Sequence, residues 1–210
     1  MVLSYLPGRS FFSPAHLSRW TDGLARGLAL VHAVTPDHYD LSWLPGDPVQ
    51  DIRAEIDHRR EQLPDMEALG HEAFAALQDQ LDRVQRWQSC LIHDDYWPGN
   101  TVWYRGRLTG VIDWTDAKLG DPRADLSQCR ADLVLSHGIG EADAFLQAYQ
   151  RHASAAPPDM AFFDLLRGLR ALIYYKQWLQ GYHDAGLTHL NWNGVEERLR
   201  SFVRRALANI

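Results

Sequence analysis

Three oxygen-bearing side chains at fixed spacing are the residues of this sequence best suited to chemistry. Asp95 lies on a loop rich in proline and glycine, Asn100 follows it closely, and Asp113 ends an apolar segment further along. An amide oxygen and a carboxylate are hard ligands that suit Mg²⁺, and a second carboxylate beside them can accept a proton from a hydroxyl. One base, two metal ligands and accurate positioning are what phosphoryl transfer to an alcohol requires.

A β-hairpin is the element that would bring these side chains together. The residues 101–104 and 108–114 are typical of two short strands joined by a tight turn. Because a hairpin returns its second strand beside its first, Asn100 and Asp113 should meet at its open end. Asp95 would then lie just before them on the same side.

Helical periodicity accounts for most of the remaining chain. Apolar residues recur every three or four positions from Leu17 to Val31 and from Phe74 to Trp87. The predicted helices cover residues 13–34, 51–62, 67–89, 122–136, 141–152, 159–182 and 193–208. We therefore expect a mainly α-helical body with one small hairpin, in which residues 90–92 form a short buried strand or a helix exit.

Composition narrows the class of protein further. The chain has 210 residues, a net charge of -6 and 46% hydrophobic residues, as in an ordinary soluble globular protein of one large or two small domains. Its mild acidity argues against a general nucleic-acid binder. The most apolar window, 161–180, contains four charged residues, which excludes a membrane span. Two cysteines and the lack of a secretory signal predict a cytoplasmic location.

Several ordered motifs resemble one known family. The segment HDDYWPGN at 93–100 resembles the catalytic loop of the protein-kinase superfamily, and IDW at 112–114 resembles its metal-binding motif. The details WPGN at 97–100, GVIDW at 110–114 and GDPRADL at 120–126 are similar to the aminoglycoside phosphotransferase family, which includes choline-kinase-like enzymes. This order of motifs is far more specific than any of them alone.

The resemblance implies a role for each matching residue. Asp95 would be the catalytic base, Asn100 and Asp113 would bind Mg²⁺, and His93 and Asp125 would support the catalytic loop. The implied reaction is transfer of the γ-phosphate of ATP or GTP to the hydroxyl of a small molecule. The sequence names neither the acceptor nor the choice between ATP and GTP.

The first twelve residues resemble the hinge that precedes the helical lobe of these kinases. The segment VLSYLPG at 2–8 carries the likeness. The resemblance then implies that Ser4 and Tyr5 contact the nucleotide, with Ile112 on the floor of the nucleotide cleft.

The resemblance covers only the C-terminal lobe of a protein-kinase-like fold. Residues 13–210 would form this helical lobe, with the catalytic loop at 92–100 and the metal-motif hairpin at 101–114. No G-x-G-x-x-G motif occurs, and the only lysines, Lys118 and Lys176, come too late to be the phosphate-binding lysine of an N-terminal lobe. We therefore expect the N-terminal nucleotide lobe to be absent from this chain.

Two features leave the substrate open. Asp94 is a departure from the family pattern; a solvent-facing acid is favoured slightly over one that raises the pKa of Asp95 or attracts a cationic substrate. The surplus of aspartates between 94 and 125 fits an amine-bearing acceptor without requiring one.

Aromatic residues on a late helix are the candidates for a pocket wall: Tyr174, Tyr175, Trp178 and Tyr182.

Alternatives to a complete enzyme follow from the missing lobe. In place of an active kinase lobe, the chain would then be a pseudokinase or binding module that lost phosphate handling, or one half of a split kinase. An apolar face on the hinge side would then bind a second copy of the chain or a separate N-lobe partner. The apolar residues of that face would be Val2, Leu3, Tyr5, Leu6 and Ile112.

Overall fold

The computed structural model describes residues 5–62, 67–153 and 155–210. Within these ranges it contains seven α-helices and four short strands in two antiparallel pairs. The helices are α1 (Leu17–His32), α2 (Pro48–Arg60), α3 (Ala68–Gln80), α4 (Pro122–Ser136), α5 (Ile139–Ala153), α6 (Met160–Asp184) and α7 (Trp192–Leu207). The strands are β1 (Cys90–Ile92), β2 (Thr101–Tyr104), β3 (Arg107–Val111) and β4 (Lys118–Gly120). The expected mainly helical architecture with a small hairpin is therefore correct.

The predicted helix at 67–89 is too long. Helix α3 ends at Gln80 and one 3₁₀ turn follows, after which Val84 is extended. The backbone beyond it is held by side chains instead of helical bonds, since Gln85 N–H donates to Asp159 and Gln85 C=O accepts from Arg123, at 2.9 and 2.7 Å. These long-range hydrogen bonds replace the local ones that the apolar periodicity predicted.

Helix α4 is the central element of the body. Almost all of its side chains are buried, and it packs against α5, α6 and α7. Asp121 caps its N-terminus by accepting from the Arg123 N–H at 2.9 Å, and Pro122 occupies the first turn, where a missing N–H costs nothing. The helix therefore fixes the position of Asp125 deep inside the protein.

The strand pair β1–β4 was not predicted. Cys90 pairs with Gly120 and Ile92 pairs with Lys118, so β4 lies beside the start of the catalytic loop. The hairpin β2–β3 forms as expected, with Thr101 opposite Val111 at its open end. Its second strand ends at Val111 instead of Trp114, because Asp113 has a φ of 62° and leaves the extended conformation. Among the residues that the structure describes, no helix is long and apolar enough to cross a membrane.

Candidate active site

Asp125 holds the backbone of the loop that carries Asp95. Its two carboxylate oxygens accept hydrogen bonds from the backbone N–H groups of His93 and Asp94, at 2.8 and 2.7 Å. Asp125 is fully buried, and His32 of α1 lies 3.2 Å from the same carboxylate. Burying N–H groups costs free energy unless an acceptor replaces water, and the Asp125 carboxylate is the acceptor for both of these. Asp125 therefore lies against the loop that the resemblance implies it supports, and His32 was not singled out from the sequence.

His93 links the same loop to the end of the hairpin. Its Nε2–H donates to the backbone carbonyl of Ile112 at 2.8 Å, and its ring lies 4.7 Å from the Trp114 ring, centroid to centroid. The imidazole is completely buried. The loop before Asp95 and the turn that contains Asp113 are therefore tied together by one side chain.

Asn100 contacts the candidate base directly. Its side-chain N–H group donates to the Asp95 carboxylate and to the Asp95 backbone carbonyl, both at 2.9 Å. The Asn100 backbone carbonyl in turn accepts from the Ile112 N–H at 2.9 Å. Asp113 is thus one residue beyond the partner of Asn100, as the hairpin predicted.

Asp113 occupies an unusual backbone conformation. Its φ of 62° lies in the left-handed region that non-glycine residues rarely adopt. One carboxylate oxygen accepts from the Thr115 hydroxyl at 2.6 Å, and the side chain is exposed. Backbone strain of this kind is often found at functional sites, where the surrounding structure maintains it.

The oxygen atoms at this position fit a divalent cation. Among the described residues, the Asn100 side-chain oxygen and the second Asp113 carboxylate oxygen accept no hydrogen bond from the protein. Both are hard oxygen ligands, and Mg²⁺ usually takes one or two protein ligands together with water and phosphate. The described part of the chain has no cluster of three or more His, Cys, Asp or Glu side chains arranged for a metal. A site here would therefore depend on this amide and carboxylate.

The environment of Asp95 makes its carboxylate more basic. Partial burial raises the pKa of Asp95 above its ordinary value, while nearby Arg170 and the hydrogen bond from Asn100 oppose the increase. The net shift is upward. A carboxylate with a raised pKa accepts a proton from a hydroxyl more readily than a free aspartate does.

Asp94 is only 20% exposed, so it is not the free solvent-facing acid that the sequence slightly favoured. Its carboxylate lies 2.8 Å from Lys118 Nζ of β4 and 3.1 Å from the Arg167 guanidinium of α6. Two cations therefore compensate its charge, which weakens its attraction for a cationic substrate. Strand β4, which carries Lys118, was not predicted from the sequence, so the ion pair between Lys118 and Asp94 was not predicted either.

Two cavities meet at Asp95. A charged cavity of about 670 Å³ extends between α2 and α6, and a less polar one of about 390 Å³ extends between α4, α6 and Trp97. Trp178 lines both, Tyr174 the first and Tyr182 the second. Tyr175 points elsewhere, since its hydroxyl bonds to Glu196 of α7.

The residues expected to contact a nucleotide are only partly described. Ser4, like Val2 and Leu3, lies outside the described residues. Tyr5 is 86% exposed, and Ile112, directly after β3, is 38% exposed. Their contact with a nucleotide stays a prediction.

Comparison with known proteins gives a consistent result. A sequence model described as "Phosphotransferase enzyme family" matches residues 1–166. The fold is similar to that of macrolide 2'-phosphotransferase type I, with a TM-score of 0.61 and 18% identity over 98% of this chain and 67% of that one. It is also similar to aminoglycoside phosphotransferase APH(4)-Ia, with a TM-score of 0.63 and 20% identity over 95% of this chain and 69% of that one.

One curated relative matches a short segment. The uncharacterized protein YcbJ of Bacillus subtilis (strain 168) is 37% identical over 54 residues, which are 20% of this chain and 18% of that protein. The chain thus spans less than a fifth of this relative and about two thirds of the structures that it resembles.

Proposed function

The chain belongs to the phosphotransferase enzyme family, and on this basis we propose that it supplies the catalytic loop for transfer of a nucleotide γ-phosphate to a small-molecule hydroxyl. The family match covers residues 1–166 and includes the candidate catalytic, metal-binding and nucleotide-binding residues. Thermostable mutants of APH(4)-Ia have been solved with hygromycin B and either ADP or AMP-PNP. These complexes support a nucleotide as the phosphate donor here.

One observation carries the proposal. Asp125 and His93 fix the loop and the hairpin end against each other, and this arrangement puts the Asp95 carboxylate in contact with Asn100. A buried support of this kind keeps the reactive groups in one geometry before any substrate binds. Accurate positioning supplies most of the catalysis in phosphoryl transfer.

Each residue then has a chemical task. The Asp95 carboxylate accepts the proton of the acceptor hydroxyl as the hydroxyl oxygen attacks the γ-phosphorus, and the bond from that phosphorus to the β–γ bridging oxygen breaks to release the nucleoside diphosphate. The Asn100 N–H group keeps that carboxylate oriented through its 2.9 Å hydrogen bond. Asn100 and Asp113 would hold Mg²⁺, which when bound neutralises charge on the phosphates. Asp125 and His93 maintain the loop and do not touch the reacting atoms.

A second candidate is a lobe that is inactive by itself. The sequence has no G-x-G-x-x-G motif, and its only lysines are Lys118 and Lys176. Lys118 is engaged by Asp94 and Asp51, at 2.8 and 3.3 Å. In this alternative, a pseudokinase or one half of a split kinase, the phosphate-binding loop and lysine are not supplied by these 210 residues.

Metal and nucleotide binding test the proposed site without requiring turnover. We would titrate the purified chain with Mn²⁺ and ADP and measure Mn²⁺ binding by electron paramagnetic resonance. Asp113→Ala and Asn100→Ala should each weaken Mn²⁺ binding about tenfold or more, as expected when one of two protein ligands is lost. Asp57→Ala, which removes an exposed carboxylate on α2, is the matched control and should change nothing. Equal Mn²⁺ binding in the wild type and in Asp113→Ala would refute the site.

A further inference from the structure

Arg170 of α6 stands at the junction of the two cavities that meet at Asp95. Both cavities are lined by Arg170 and by Asp95. The arginine is close enough to influence the Asp95 pKa, yet the two side chains form no ion pair among the described contacts. A molecule that presented its hydroxyl to Asp95 from either cavity would therefore lie next to this guanidinium.

Arg170 forms no direct ion pair with a carboxylate of the described residues, although Asp95, Asp132 and Glu55 lie close enough to interact with its charge. The neighbouring cations are engaged: Arg167 pairs with Glu55 and Asp94, both at 3.1 Å, and Lys118 pairs with Asp94 at 2.8 Å. Within the ranges that the structure covers, Arg170 has no such partner, and its one hydrogen bond goes to a neutral amide. It is thus the cation next to Asp95 that is left for a ligand.

A buried network fixes the position of this guanidinium. Arg170 donates to the Gln128 side-chain oxygen at 2.8 Å, and the Gln128 amide N–H donates to Asp132 at 2.8 Å. The Tyr182 hydroxyl bonds to the other oxygen of Asp132. Gln128, Asp132 and Tyr182 are all buried. The network therefore orients Arg170 while using only one of its five N–H groups.

An aromatic ring restrains the same group. The Arg170 guanidinium carbon lies 5.7 Å from the centre of the Trp178 ring. Arginine that packs against an aromatic ring keeps its N–H edge available for a planar, bidentate partner such as a carboxylate or phosphate. A cation held from two sides loses little entropy when it binds such an anion.

The aspartates that suggested an amine-bearing acceptor are largely used by the protein itself. Asp94 is bound by two cations, Asp121 pairs with Arg123 at 2.6 Å, and Asp125 accepts the loop N–H groups. Asp116 also lines the charged cavity and has no ion pair among the described residues, whereas Arg170 is the cation that lines both cavities together with Asp95. The position of Arg170 therefore favours an anionic group close to the hydroxyl at Asp95.

We propose that Arg170 binds an oxyanion, a carboxylate or a phosphate, next to the hydroxyl that Asp95 activates. The inference depends on the proposed function only for the role of Asp95. The oxyanion belongs either to the acceptor molecule or to the phosphoryl group in transfer. Both would be recognised by the same charge-assisted hydrogen bonds.

Binding of small probes to the purified chain tests this assignment. The probes are inorganic phosphate, 4-hydroxybutyrate and 4-aminobutan-1-ol, followed by the ¹⁵Nε resonances of arginine and by calorimetry. Arg170→Gln should weaken the binding of the anionic probes about tenfold or more, the usual effect of losing a charge-assisted hydrogen-bond donor. Arg170→Lys should retain part of the affinity. Lys176→Gln removes the same charge from an exposed position on the same helix and should bind as the wild type does.

The probes separate the two sources of the anion. Arg170-dependent binding of both phosphate and 4-hydroxybutyrate supports an acceptor that carries an anionic group, and Arg170-dependent binding of phosphate alone assigns Arg170 to the transferred phosphoryl group. Anion binding that persists in Arg170→Gln overturns the proposal, as does binding of 4-aminobutan-1-ol in preference to both anions. Unchanged circular dichroism of Arg170→Gln shows that folding is not the cause. Failure of the proposed function would appear separately, as Mn²⁺ binding that does not respond to Asp113→Ala.

Discussion

Replacing Asp132 by asparagine should stabilise the protein at neutral and alkaline pH. The Asp132 carboxyl lies inside the fold, where burial raises its pKa to about 7 against the lowering effect of the Tyr182 hydroxyl. Asparagine has nearly the same shape and can keep both contacts, accepting from Gln128 and donating to the Tyr182 oxygen. The substitution therefore removes a buried ionisable group with little change in packing.

The sign of the effect follows from proton linkage. Between the ordinary aspartate pKa of 3.8 and about 7, the folded protein holds a proton on Asp132 that the unfolded chain has released. The contribution of Asp132 to stability therefore falls as pH rises through this window and is constant above it. The whole gap corresponds to an upper limit of roughly 4 kcal/mol, since one pKa unit is worth about 1.4 kcal/mol.

Urea unfolding of the wild type and Asp132→Asn at several pH values from 4 to 8 measures this difference. We expect similar free energies of unfolding near pH 4 and an advantage of the variant that grows towards pH 8. Asp143→Asn provides a contrast, because a hydrogen bond from Arg205 lowers the pKa of Asp143, and this variant should lose stability at neutral pH. A difference between wild type and Asp132→Asn that did not change with pH would refute the reasoning.

Three further predictions concern the support of the loop, turnover and association. Asp125→Ala should lower the free energy of unfolding by about 2–4 kcal/mol, because one buried and one partly buried N–H group lose their acceptor. Urea denaturation measures this, and the control Asp82→Ala, at an exposed position, should change the free energy by no more than about 0.5 kcal/mol. The 210-residue chain alone should show negligible kinase turnover, and acceptor phosphorylation at about 1–100 s⁻¹ in a radiolabel assay would contradict this. Because Tyr5 and Leu6 are 86% and 40% exposed, the chain should self-associate or bind a separate N-lobe chain. Light scattering should show an average molecular mass that increases with protein concentration and is lower for Leu6→Asp. A wild-type chain that stays monomeric at every concentration would count against self-association.

The arrangement of the candidate site was accessible from the sequence because its contacts are local. Asn100 follows Asp95 by one short turn, and the hairpin joins Asn100 to Ile112 over a few residues. Motif order and hairpin geometry act over such distances, so they predicted the neighbourhood of Asp95, Asn100 and Asp113. The periodic helices α4, α6 and α7 were predicted to within about two residues for the same reason.

The misjudged features depend on contacts between distant parts of the chain. The end of α3 is decided by Asp159 and Arg123, which bond to the backbone of Gln85. Strand β4 forms by backbone pairing with β1, a strand that lies much earlier in the sequence; for example, Lys118 pairs with Ile92. Periodicity contains no information about such partners, so the helix was predicted too long and the strand was missed.

The sequence by itself determined the family, the helical architecture and the residues that could perform phosphoryl transfer, because residue type, order and short-range geometry specify these. The tertiary structure alone decided how the charges are distributed among those residues. Asp94 was interpreted as a solvent-facing acid, but its carboxylate pairs with Lys118 and Arg167. Arg170, which lies near Asp95, forms no ion pair among the described residues and bonds to a neutral amide. Coulomb interactions depend on distance and burial, and both are set by which helices and strands pack together.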